Sequence, residues 1–106
     1  MSEWIDIGSV ADFPLEQAKV VPLEDTSAVV VRTSEGFFAL ENRCSHAEVA
    51  LAGGTIADGT ITCPRHGARF SLRTGEPLTP PAYEAVTVFP VRVENGRVLL
   101  RDSRWD

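Results

Sequence analysis

Apolar residues in this 106-residue chain come in short bursts, and no purely aliphatic run exceeds four residues, Ala28-Val29-Val30-Val31 among them. A membrane-spanning helix needs roughly 20 apolar residues, so none is expected. The bursts carry strand patterning. Trp4-Ile5-Asp6-Ile7 alternates apolar and polar, and Lys19-Val20-Val21-Pro22-Leu23, Ala28 to Arg32 and Gly36 to Leu40 follow at short spacing, reading as an antiparallel meander. Ser34-Glu35-Gly36 and Asp58-Gly59 are turn signals, and Asn95-Gly96 sits between Val91-Arg92-Val93 and Val98-Leu99-Leu100 as a two-residue hairpin. Only Ser9-Val10-Ala11-Asp12, with a serine cap ahead of Pro14, has the makings of a helical turn. The expectation is an all-β fold, an antiparallel sandwich or barrel of about eight to ten short strands, with a loop-rich stretch from Cys44 to Pro81.

Length and composition narrow the function. With 43% hydrophobic and 24% charged residues, 1–106 fits one domain with a modest core. The first residues, Met-Ser-Glu-Trp-Ile-Asp-Ile-Gly, are acidic where a secretory signal is basic, so a soluble, cytoplasmic protein with no membrane contact is expected. A net charge of −5 argues against nucleic acid, whose phosphates need clustered lysine and arginine. It suits docking on basic protein patches, although taken alone such mild acidity does no more than aid solubility.

The chemistry lies in the loop-rich stretch. Cys44-Ser45-His46 is followed after sixteen residues by Cys63-Pro64-Arg65-His66, and these are the chain's only cysteines and histidines. In a reducing cytosol, metal ligation is a better default for two cysteines than a disulfide. Finger-type zinc sites usually pair the cysteines on one loop and the histidines on a helix, whereas each loop here offers one thiolate and one imidazole. A binuclear iron cluster with two cysteines on one iron and two histidines on the other needs that mixture. A mononuclear zinc or iron site made of the same residues stays open on spacing alone.

The pattern C-x-H-x₁₆-C-x₂-H, continuing as His66-Gly67-Ala68-Arg69-Phe70-Ser71-Leu72-Arg73-Thr74-Gly75, resembles the Rieske family, and within it the ferredoxin components of bacterial ring-hydroxylating dioxygenase systems. The resemblance implies one [2Fe–2S] cluster, with Cys44 and Cys63 on the inner iron and His46 and His66 on the outer iron near the surface. It implies a single Rieske domain over 1–106 with a cluster-binding subdomain at about 42–82. Pro80-Pro81-Ala82 is either a rigid connection or similar to the proline-bearing loop that shields the cluster in this family. Gly53, Gly54 and Gly67 read as tight-turn residues. Arg43 and Arg69 read as solvated charges, Arg65 lies inside the second ligand loop, and Trp4 and Trp105 read as packing residues.

Departures from the family bear on redox potential. Quinol-oxidising relatives carry two further cysteines, a membrane-anchoring helix, and a serine and an aromatic hydroxyl where this chain has Ala68 and Phe70. Hydrogen bonds to cluster sulfur stabilise the reduced state, so their loss places the potential near the bottom of the Rieske window, around −150 mV. No third histidine exists to build an oxygenase's mononuclear iron site, and no G-x-G-x-x-G motif marks a nucleotide fold. The resemblance therefore implies a monomeric one-electron carrier, not an enzyme, passing electrons from an NAD(P)H-dependent flavoprotein reductase to a terminal oxygenase. A small Rieske subunit of another redox enzyme, such as nitrite reductase, is the second reading, and a zinc-dependent interaction module the third.

Overall fold

The computed structural model describes residues 3–43, 50–64, 67–79 and 84–105. Ten strands run in chain order as β1 (Trp4–Ser9), β2 (Ala18–Pro22), β3 (Ser27–Thr33), β4 (Gly36–Glu41), β5 (Ile56–Ala57), β6 (Thr60–Thr62), β7 (Arg69–Ser71), β8 (Val88–Phe89), β9 (Val91–Glu94) and β10 (Arg97–Arg101). They form three antiparallel sheets, ordered β1-β10-β9, β2-β3-β4-β8 and β5-β6-β7. The fold is all-β. Among the described residues the only helical elements are two three-residue 3₁₀ turns, Val10–Asp12 and Ser103–Trp105. No helix among them is long and apolar enough to cross a membrane.

The aliphatic burst in β3 explains how the layers stack. Side chains alternate across a strand, so a strand apolar at every position must be covered on both faces. Ala28, Val29, Val30 and Val31 are all fully buried. Val29 and Val31 join Leu40, Leu51, Ile61, Ala68, Phe70 and Leu72 in one core, while Ala28 and Val30 join Phe13, Ala39, Phe89, Val98 and Leu100 in the other. The four-stranded sheet thus lies between the β1-β10-β9 sheet and the β5-β6-β7 sheet.

Local sequence sets the ends of these elements. Pro22, which has no N–H to give a ladder, falls at the end of β2, an edge strand. Asn95 adopts φ 52° in the tight turn between β9 and β10, as the Asn-Gly signal requires. At the expected helical turn, the Asp12 carboxylate accepts a hydrogen bond from the Ser9 N–H at 3.0 Å.

One expectation needs correcting. The Trp4 strand does not extend the β2-β3-β4 meander, but pairs with β10, placing Ile5 opposite Leu100. The reason is cover: β10 presents buried Val98 and Leu100 to the second core, and β1 continues that layer.

The site depends on how the third sheet is inserted. The chain leaves the central sheet after β4 and returns at β8, where Leu40 pairs with Val88 and the Glu41 N–H donates to the Thr87 carbonyl at 2.8 Å. Everything between, including β5 to β7, departs and comes back at one place on the sheet.

Candidate metal centre

Cys63 follows β6 directly and is 1% exposed, packed in the core that holds Leu51, Ala68 and Phe70. Two backbone bonds shape the loop it opens. The Cys63 N–H donates to the Ala68 carbonyl at 2.7 Å, and the Gly67 N–H donates to the Cys63 carbonyl at 3.0 Å. These two bonds bring Cys63 and residues 67–68 together, with Gly67 at φ 71° leading the chain into β7. Cys44, His46 and His66, the other three expected ligands, lie outside the described residues, as do Arg65 and Pro80 to Ala82. Among the described residues no group of three or more His, Cys, Asp or Glu could hold a metal ion.

Two side chains that the motif does not include organise the neighbourhood. Asn42, two positions before Cys44, uses its Oδ1 to accept from the Ala52 N–H at 2.8 Å and its Nδ2 to donate to Ser27 Oγ at 3.1 Å. Thr79 Oγ1 accepts from the Arg69 N–H at 2.9 Å, while the Leu78 N–H donates to the Arg69 carbonyl at 2.7 Å. Residues 76–79 thus run beside β7, and the Val86 N–H donates to the Gly75 carbonyl at 2.9 Å. Neither Asn42 nor Thr79 has a sequence signature, because each acts on a residue ten positions away.

The glycine pair in the first loop serves two different ends. Gly53 has φ 93°, a true turn conformation. Gly54 is there for proximity: a Cβ on it would fall 1.8 Å from the Thr62 carbonyl oxygen. The return leg of the first loop is thereby pressed against the residue that precedes Cys63. Of the arginines, Arg69 is exposed. Trp4 carries the Arg92 guanidinium 4.4 Å from its ring, a surface packing role.

The residues described fit an iron–sulfur group as far as they go. A thiol this well buried, at the mouth of a loop closed by its own backbone, suits a thiolate ligand shielded from water. The comparisons decide the family. Residues 3–90 match the Rieske [2Fe–2S] domain. The chain belongs to the Rieske [2Fe–2S] family. Membership brings a Rieske-type cluster as the group this fold is built around. The chain is 31% identical to the anthranilate 1,2-dioxygenase ferredoxin subunit of Burkholderia cepacia, over 92% of this chain and 91% of that one. It is 38% identical to the 3-phenylpropionate/cinnamic acid dioxygenase ferredoxin subunit of Escherichia coli, over 86% of each. Among solved structures, a complex of oxygenase and ferredoxin in carbazole 1,9a-dioxygenase overlays with TM-score 0.88 and 29% identity, over 92% of each chain. A protein described as an NADH-dependent nitrite reductase small subunit from Mycobacterium tuberculosis overlays with TM-score 0.84 at 21% identity, over 96% of each chain, a likeness of fold alone. The named relatives are ferredoxin subunits of dioxygenases, electron-carrier components by name.

Proposed function

We propose that this Rieske ferredoxin carries single electrons from an NAD(P)H-dependent flavoprotein reductase to a terminal, aromatic-ring-hydroxylating oxygenase. The observation that carries the reading is the similarity to a dioxygenase ferredoxin subunit over 92% of this chain and 91% of that one. The carbazole system, in which a similar ferredoxin is seen in complex with its oxygenase, supports the choice of partner. The nitrite reductase reading has only a shared fold behind it.

Cys44 and Cys63 would hold one iron of a single [2Fe–2S] cluster, and His46 and His66 the other. The cluster supplies a site that gains and loses one electron. This chain's own residues do the rest. Burial of Cys63 keeps water from the thiolate side, and the bonds from Cys63, Gly67 and Ala68 fix the loop that would present His66. We read 1–106 as one domain with the cluster-binding subdomain at about 42–82, working as a cytoplasmic monomer.

The purified protein should be red-brown and, after dithionite, give a rhombic low-temperature EPR signal with average g below the free-electron value. It should also relay electrons from a flavoprotein reductase to a dioxygenase terminal component. A colourless protein containing zinc overturns the reading, and a coloured protein that persistently co-purifies with a large subunit overturns the diffusible-carrier part of it.

A further inference from the structure

Asn42 touches both ends of the segment that contains Cys44 and His46. Its backbone N–H donates to the Ser27 carbonyl at 2.8 Å and its Nδ2 donates to Ser27 Oγ at 3.1 Å, so the residue is tied twice to β3. Its Oδ1 accepts the Ala52 N–H at 2.8 Å, reaching across the base of the loop formed by residues 43–51. The neighbouring Leu51 is fully buried beside Cys63 in the first core, and its carbonyl accepts the Gly54 N–H at 3.0 Å. One side chain therefore joins two bodies: the central sheet, through Ser27 on β3, and the leg of the chain that returns at Ala52.

We propose that Asn42 is the positioning residue of that loop, setting where Cys44 and His46 stand relative to Cys63; the inference rests on the Rieske reading above. The amide is suited to the task because it offers an acceptor and a donor at once, one for each leg. Closing a segment by its base limits the conformations open to everything within it. All three bonds are part-buried or backbone-supported, so water does not replace them at no cost.

The test uses the full-length, cluster-loaded protein. Asn42→Ala removes both side-chain bonds. It should shift or broaden the rhombic EPR features of the reduced protein and speed bleaching by an iron chelator roughly five-fold or more, the factor one net hydrogen bond is worth. Asn42→Asp keeps an acceptor for the Ala52 N–H and can accept from the Ser27 hydroxyl, so bleaching should return toward the unsubstituted rate. Ser27→Ala removes one bond only and should fall between. A residue that merely stabilises the sheet would lower the melting temperature without moving the g-values. If Asn42→Ala leaves the g-values and line widths in place and bleaches within roughly two-fold of the parent, the inference is overturned. If that variant does not fold, Ser27→Ala decides by the same two readouts. An unsubstituted protein without the rhombic signal sinks the Rieske reading and this inference with it, whereas a normal parent with unchanged variants sinks the inference alone.

Discussion

Replacing Gly54 by alanine tests how tightly the first loop is pressed against β6. The added methyl would stand 1.8 Å from the Thr62 carbonyl oxygen and 3.1 Å from the Leu51 carbonyl oxygen. Both obstacles are backbone, so no flexible side chain can yield. Relief requires the loop leg and β6 to part, which strains the Thr62 N–H bond to the Thr55 carbonyl at 2.9 Å and the Gly54 N–H bond to Leu51. Two weakened hydrogen bonds at about 1 kcal/mol each, plus the displacement of fully buried Leu51, come to about 3 kcal/mol. For a domain of this size that lowers the melting temperature by about 12 °C or more. Gly53→Ala is the comparison: its Cβ meets nothing within 4 Å, leaving only the strain of φ 93°, about 1–2 kcal/mol. Far-UV circular dichroism melts of the three proteins read the order directly. A Gly54→Ala protein that melts within about 4 °C of the parent, or above Gly53→Ala, refutes the argument from close approach.

Three other outcomes follow from the same structure. Ala68 and Phe70 are fully buried in the first core and offer no hydrogen-bond donor, so the midpoint potential should lie low in the Rieske window, around −150 mV; a voltammetric value above about +100 mV contradicts this. Arg104, its side chain 16% exposed, pairs with Asp102 at 2.8 Å, Asp25 at 2.6 Å and Glu41 at 3.7 Å, so Arg104→Met should cost about 2 kcal/mol in urea unfolding, between surface and buried ion-pair values; a cost below about 0.5 kcal/mol speaks against it. Two bonds donated by Arg97, and then the Gly8 N–H, hold the Asp6 carboxylate below its ordinary pKa of 3.8. The folded-state pKa is the lower one, so this stabilisation is complete above the unfolded value and disappears as pH falls through the folded one; Asp6→Asn should flatten the acid limb of the stability–pH curve, and an unchanged limb assigns that loss to other carboxylates.

How much could be read from the residues depended on the range over which each one acts. The hairpin at Asn95-Gly96, the turn after Ser9 and the long strands β3 and β4 depend on neighbours a few positions away, and these stood out. The strands β5 to β8 have two or three residues each, too few for any period to register; β6 and β7 place Ile61 and Phe70 in the core beside the distant central sheet, and β8 pairs with β4 and puts Phe89 in the second core. The pairing of β1 with β10 could not be foreseen, since alternation in Trp4–Ile7 reports a half-covered strand without saying what covers it. At the site, the pairing of Cys44 with His46 and of Cys63 with His66 carried the resemblance to the family, and of these four residues the structure describes Cys63, which is buried. Asn42 and Thr79 were invisible because an asparagine or threonine in a loop looks the same whether it meets water or a backbone amide ten residues off.

The single point of departure and return at β4 and β8 makes the β5-β6-β7 layer an insertion into a body whose other strands pair without it. The strands before Asn42 and after Thr87 close on one another without the inserted segment, so the β5-β6-β7 layer can open while the two remaining sheets stay paired. Such an opening bares Val29, Val31 and Leu40 along one face of the central sheet. Losing the inserted layer would then leave a folded body with a greasy seam, and the first sign of damage to this carrier would be self-association, ahead of unfolding.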